Sequence, residues 1–267
     1  MIELLDRHEI FKLNKTFASF IVDMQDITYN PTLDHNKNRP GEMYVDDNEL
    51  PRFVSQEECD KWNEEAFEEY QKRRDYLETI SIQEKHRGGI IYNFQKDRID
   101  NYVEHLAESI SALSNTLQWK SVLFLLNYST PWLYQDNDYK PVKRALNFIS
   151  SLGVDKHFIG GFKADGNELR ELTKHLFWII RCNASLPICY FSGVGTDFIG
   201  NICEYGSIHF HFYSDKTSFE IKKAAVDIGM IEVEDRRCIE NLSERGAIKG
   251  QEIVNTVRKI TPTNEQL

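Results

Sequence analysis

The fold is decided by residues 156–234, which read KHFIGGFKADGNELRELTKHLFWIIRCNASLPICYFSGVGTDFIGNICEYGSIHFHFYSDKTSFEIKKAAVDIGMIEVE. The hydrophobic period in this stretch changes in the order strand, helix, strand, strand, helix, strand. That order is typical of a split βαβ unit. We therefore predict an α+β fold whose C-terminal part is ferredoxin-like, with helices on one face of a mixed, mainly antiparallel sheet.

The preceding residues 1–152 predict a mainly helical N-terminal region. Ser55 and Glu58 have capping-box spacing, and an apolar stripe at helical spacing follows from Ile99 onwards. Residues 29–54 are rich in Pro, Asn and Asp, which predicts a loop. We expect residues 153–267 to be the split βαβ domain with a C-terminal tail, and the sequence leaves open whether both regions form one globule.

Composition limits the classes of function. The 267 residues are 41% hydrophobic, which suffices for a core, and no apolar run is long enough to cross a bilayer. The N-terminus lacks an apolar signal segment and the five cysteines contain no CxxC pair, so we expect a cytoplasmic protein without a disulfide framework. The net charge of −10 disfavours direct nucleic-acid binding and favours a basic partner.

Two loops have the composition of a partner-binding surface. Acidic and aromatic side chains supply long-range attraction and apolar anchors, respectively. The first loop contributes Asp46, Asp47 and Glu49. The second contributes Trp132, Tyr134, Asp136 and Asp138. We predict that these seven residues contact a basic protein.

A histidine pair suggests an alternative, metal-dependent chemistry. Strand alternation places His209 and His211 on one face, which is a geometry that metal ligands use. A catalytic metal needs a third ligand and an open position for water. The nearest candidates in sequence are Glu204, Asp215 and His157. This pattern predicts a metal-dependent hydrolase. Two solvated histidines on the surface of a sheet would give the same sequence pattern.

Two Arg–His pairs on predicted helices suggest a second alternative. Arg170 precedes His175 by five residues, and Arg98 precedes His105 by seven. Both pairs resemble the loose signature of HEPN ribonucleases, and the resemblance implies metal-independent RNA cleavage with His as acid or base and Arg stabilising phosphate charge. HEPN ribonucleases are helical bundles, which fits Arg98 and His105 better than Arg170 and His175.

No further catalytic template is recognisable. The glycine loop from Ser192 to Thr196 lacks the helix start that a phosphate cradle needs, and Gly-x-Ser-x-Gly and His-Glu-x-x-His motifs do not occur. The sequence indicates no cofactor. It favours a non-catalytic acidic binding protein, similar in role to an immunity protein or antitoxin, while the two catalytic alternatives stay open.

Overall fold

The computed structural model describes residues 1–45, 50–77, 86–94, 98–182 and 188–233, together with the backbone of residues 252–254. The chain has an α+β fold in which seven α-helices of this described part surround a large antiparallel sheet. The helices are α1 (Arg7–Leu13), α2 (Lys15–Tyr29), α3 (Gln56–Arg73), α4 (Ile99–Thr116), α5 (Lys140–Ser151), α6 (Gly166–Arg181) and α7 (Asp215–Asp227).

The strands form one eight-stranded sheet and two small two-stranded sheets. They are β1 (Glu3–Leu5), β2 (Met43–Val45), β3 (Pro51–Phe53), β4 (Gly88–Asn93), β5 (Val122–Leu126), β6 (Gln135–Asn137), β7 (Gly161–Ala164), β8 (Cys189–Gly193), β9 (Phe198–Ile202), β10 (Ile208–Phe212), β11 (Ile231–Glu232) and β12 (Glu252–Val254). The large sheet has the order β1-β7-β5-β8-β9-β10-β4-β11, and β2 pairs with β3 and β12 with β6.

The strand order differs from a ferredoxin-like arrangement. Strand β5 is antiparallel to both β7 and β8 and lies between them, and β4 lies in the same way between β10 and β11. Strands β1, β4 and β5 come from the region predicted to be mainly helical. The ferredoxin-like unit and the helical N-terminal region are therefore not confirmed, because hydrophobic periodicity reveals strands but not their order in a sheet.

Helices cover both faces of the large sheet. On one face α1 and α2 pack against Leu123, Leu125 and Tyr190. On the other face α4, α5, α6 and α7 pack around Val122, Phe124 and neighbouring strand residues. A sheet buried on both sides needs strands that are apolar throughout, as β5 is. The predicted one-sided helical layer is accordingly not confirmed.

Several local signals act as the sequence indicates. Ser55 caps α3, and its capping box with Glu58 is formed. The apolar run at residues 121–126 is strand β5. The N-cap residue of helix α6 is Asp165, two residues before Asn167, which has the same capping chemistry. Cap residues close together in sequence compete for one helix start, so a boundary shifts by a few residues.

A buried ion pair joins helices α1 and α2 to one end of the sheet. The Arg7 guanidinium donates to the Asp75 carboxylate at 2.6 Å, and the two side chains are only 7% and 11% exposed. Arg7 also donates to the carbonyl oxygen of Leu126 at the end of β5. Gln25 of α2 donates to Asp75 as well and receives a hydrogen bond from its backbone. This network fixes α1, α2 and the segment after α3 against one end of the sheet.

Candidate functional site

The hairpin of β2 and β3 has one face that is packed against the protein. The Tyr44 ring lies 5.3 Å from the Trp62 ring of α3, and the Arg52 guanidinium stacks over Tyr44 at 5.4 Å. Arg52 is also ion-paired with Glu58 at 2.7 Å. The hairpin is thereby attached to the first turns of α3 by aromatic and cationic contacts.

The opposite face of the hairpin is apolar and exposed. Met43 is 70% exposed, Val45 is 53% exposed and Phe53 is 74% exposed. The register pairs Met43 with Phe53 and Val45 with Pro51, so these side chains share one face. Contiguous exposed apolar side chains in a folded protein mark sites of interaction. Sequence reasoning missed this face because it interpreted the whole segment as a loop, and strand β2 is only three residues long.

The negative charge of the chain is concentrated around this hairpin. Residues 42–70 contain eleven acidic and two basic side chains, a net charge of −9, whereas the other 238 residues contain 31 acidic and 30 basic ones. Asp46, Asp47 and Glu49, which connect β2 to β3 in sequence, lie outside the described residues. One short segment therefore accounts for nearly all of the net charge of −10.

The acidic side chains of α3 are on its solvated surface. Glu65 lies 3.9 Å from Lys61 and Glu68 lies 3.7 Å from Lys72, and all four side chains are well exposed. Exposed pairs of this kind contribute about 0–1 kcal/mol. Their carboxylates are therefore readily available to a cationic partner that binds this surface.

The residues of the second predicted loop differ in their exposure to solvent. Trp132 is fully buried: its indole N–H donates to the carbonyl oxygen of Gly160 at 2.8 Å, and its ring packs on Phe162. A partner cannot reach Trp132, so the proposed aromatic anchor is corrected to a core residue. Tyr134 is half-buried, and Asp136 and Asp138 are exposed. Strand β6 of this loop is itself paired with β12 of the same chain.

The two histidines of β10 lie on one face, as strand alternation requires. His209 is opposite Ile91 and Asn201, and His211 is opposite Gly89 and Ile199. Burial, with smaller contributions from His86 and His209, lowers the pKa of His211 to about 4. Burial also lowers the pKa of His209. Both imidazoles are thus neutral at pH 7, which a metal ligand would require.

In the described part of the chain, the histidine pair is not joined by a third metal ligand. Glu204 is exposed in the turn before β10, where its backbone carbonyl accepts a hydrogen bond from Arg181. Among the described residues, no three His, Cys, Asp or Glu side chains are grouped as a metal site. Two of the four residues opposite the histidines, Ile91 and Ile199, are apolar and offer no metal ligand.

The two Arg–His pairs lie on helices α4 and α6, which pack together. The side chains of the pair on α6 are occupied by other contacts within the protein. Arg170 of α6 is ion-paired with Glu104 at 2.9 Å and with Glu108 at 2.7 Å. These carboxylates offset the charge that a ribonuclease would direct at phosphate. His175 stacks on Phe148 with ring centroids 4.0 Å apart, and burial lowers its pKa.

The other pair is exposed at the surface of α4. Arg98 is the residue before the first turn, and His105 lines a shallow cleft of about 340 Å³ with Glu108, Ser109 and Ile228. Two helical turns separate Arg98 and His105 along the helix. Glu108, which is in this cleft, is the residue that pairs with Arg170.

The glycine loop opens onto a cleft with a volume of about 640 Å³. The structure places the N-termini of α2 and α7 beside the loop, although neither helix follows it in sequence. Asn14, the N-cap of α2, donates to the carbonyl oxygens of Gly193 at 2.8 Å and Thr196 at 3.0 Å. These bonds hold the glycine loop against α2.

The charges of this cleft nearly cancel. Lys12, Lys15 and Lys216 line it together with Asp197 and Glu220. Lys216 lies 3.8 Å from Glu220, and Asp197 accepts a short hydrogen bond from Thr217 at the start of α7. A carboxylate next to a helix N-terminus occupies the position that a bound anion would take. The geometry accordingly gives this cleft a role in joining α2, α7 and the glycine loop.

Comparisons with family models, with curated protein sequences and with solved structures found no match to this chain. Within the described part of the chain, no helix has both the length and the apolar composition needed to cross a bilayer. The exposed apolar face of the hairpin and the acidic segment around it are therefore the features on which a functional interpretation rests.

Proposed function

We propose that this chain is a non-catalytic, acidic, cytoplasmic binding protein that neutralises or regulates a basic protein partner, as immunity proteins and antitoxins do. The single observation that carries the proposal is the concentration of charge. Residues 42–70 hold a net charge of −9 next to an exposed apolar face, while the rest of the chain is almost neutral.

The two features have different roles in binding. A compact acidic patch attracts a cationic partner over a distance and increases the rate of association. Apolar side chains supply affinity once they are buried at the centre of an interface, with charged groups around them. Met43, Val45 and Phe53 would form that centre, and Asp46, Asp47 and Glu49, which follow β2 in sequence, would supply the attraction. Asp136 and Asp138 of the second loop belong to the part of the chain that is nearly neutral overall.

The proposal is tested first by affinity capture at two salt concentrations. The immobilised protein is exposed to lysate of its source at about 0.1 M and about 0.5 M salt, which shortens the screening length by roughly half. We expect one basic protein at a 1:1 ratio at the lower salt and much less of it at the higher. If no stoichiometric protein is captured at either concentration, the proposal is wrong.

A pair of charge-matched variants then locates the site. The triple variant Asp46→Lys, Asp47→Lys, Glu49→Lys and the control Glu204→Lys, Asp227→Lys, Glu232→Lys both change the net charge from −10 to −4. We expect the first variant to associate with the captured protein at least about tenfold more slowly, with a weaker salt dependence. The control should stay within about twofold of the wild type. Equal effects of both variants would place the binding surface elsewhere.

A further inference from the structure

We infer that the outer edge of β2 recognises its partner as an added strand: an extended basic segment of the partner pairs with the backbone of Met43 and Val45. This inference rests on the proposed function and specifies how the partner is held. Strand addition uses hydrogen bonds of the β2 backbone, whereas attraction by the acidic side chains does not need them.

The register of the hairpin shows which backbone groups point outward. The Val54 N–H donates to the Glu42 carbonyl at 3.0 Å, so Glu42 and Val54 direct these groups towards each other. Inward and outward residues alternate along an antiparallel pair. Tyr44 and Arg52, two residues further along their strands, are therefore inward-pointing as well. It follows that the N–H and carbonyl groups of Met43 and Val45 point away from β3.

The two outer edges of the hairpin are not equivalent. Pro51 has an outward-pointing position in β3 and lacks an N–H group, as prolines of edge strands do. The outer edge of β3 therefore offers one donor, at Phe53, whereas the edge of β2 offers two. Unpaired edge groups are a ready template for an incoming strand. We assign the pairing edge to β2 for this reason.

The surroundings of β2 indicate the chemistry of the added strand. An incoming strand would place alternate side chains beside Met43 and Val45, which favours apolar residues there. Glu42, Asp46 and Asp47 flank the same strand in sequence, which favours Lys or Arg at the ends of the added strand. A second copy of β2 would bring like charges together, so a basic segment of another protein is the better occupant.

The test uses a synthetic strand-forming probe, acetyl-Arg-Val-Arg-Val-Arg-Val-Arg-amide, and measures its affinity at about 0.05 M salt. Met43→Ala and Met43→Pro are compared, because the proline removes the outward N–H that the alanine keeps. Phe53→Ala and Phe53→Pro are the matched controls on the opposite edge. We expect Met43→Pro to bind the probe at least about tenfold more weakly than Met43→Ala, and the two Phe53 variants to agree within about twofold.

A second measurement leaves the protein unchanged. The same peptide with N-methyl groups on its valines keeps its charge but loses backbone donors along one edge. We expect it to bind at least about tenfold more weakly, and the unmethylated peptide to slow hydrogen exchange of the Met43 and Val45 amides.

The failures of the two proposals are distinguishable. If the probe binds equally well to all four variants and N-methylation has no effect, strand addition is wrong and electrostatic binding by the acidic segment still stands. If the unmodified probe does not bind even at this low salt, the β2 edge does not accept a basic strand. The proposed function is then decided by the capture experiment with the charge-matched variants.

Discussion

The eight-stranded sheet and the β2–β3 hairpin both contain large apolar side chains, but these are buried in the sheet and exposed in the hairpin. Phe191 of β8 is 1% exposed and packs between helices and neighbouring rings, whereas Phe53 of β3 is 74% exposed. In the sheet, helices on both faces bury the apolar side chains. In the hairpin, α3 covers only the face with Tyr44. The described part of the protein therefore leaves one apolar face of the hairpin in contact with solvent.

The largest expected effect on stability comes from replacing a phenylalanine in each of the two regions. Replacement of Phe191 by Ala removes a buried ring and should lower the free energy of unfolding by about 3–5 kcal/mol. Replacement of Phe53 by Ala should change it by no more than about 0.5 kcal/mol, because that ring is already in water. Urea unfolding followed by circular dichroism measures both. A comparable loss for Phe53→Ala would mean that the hairpin face is covered in solution.

A smaller effect on the free energy of unfolding is expected when a buried ion pair is broken, and a still smaller one when an exposed ion pair is broken. Asp75→Ala leaves the Arg7 guanidinium buried without its carboxylate, which should cost about 3 kcal/mol. Asp34→Ala breaks the exposed pair with Arg39 in the segment before the hairpin and should cost at most about 1 kcal/mol. The same unfolding experiment applies. If Asp75→Ala were as mild as Asp34→Ala, the network at the end of β5 would not hold the helices to the sheet.

The smallest effect is a pH dependence that belongs to the large sheet. His211 lies beside Phe20 and His86, and its pKa in the folded protein is about 4, below the ordinary value of 6.5. The unfolded chain therefore binds more protons between these values, so stability is complete above about pH 6.5 and decreases as the pH falls towards 4. This contribution is no more than about 2 kcal/mol at pH 5.

The comparison of urea midpoints at pH 7 and pH 5 isolates this contribution. His211→Gln should show a smaller decrease between the two pH values than the wild type. His105→Gln, which changes an exposed histidine of α4, is the control and should follow the wild type. A wild-type stability that does not change between pH 7 and pH 5 would show that protonation of His211 is not opposed by folding.

The sequence by itself determined much of the local structure. The α+β class, the capping box at Ser55 and the alternation that puts His209 and His211 on one face all follow from periodicity and from the chemistry of helix ends. The excess of acidic residues is also a property of the sequence. These features depend on neighbours within a few residues, which is the range that a sequence pattern describes.

Only the tertiary structure decided which side chains are accessible to solvent and which strands lie next to each other. Trp132 looked like an anchor in a polar loop, but its indole N–H finds the Gly160 carbonyl and its ring is buried. Strand β5 is inserted between β7 and β8, and Phe53 is left in water although Phe191 is not. Burial depends on contacts between residues far apart in the chain, and no local period encodes which strand or helix will cover a given face.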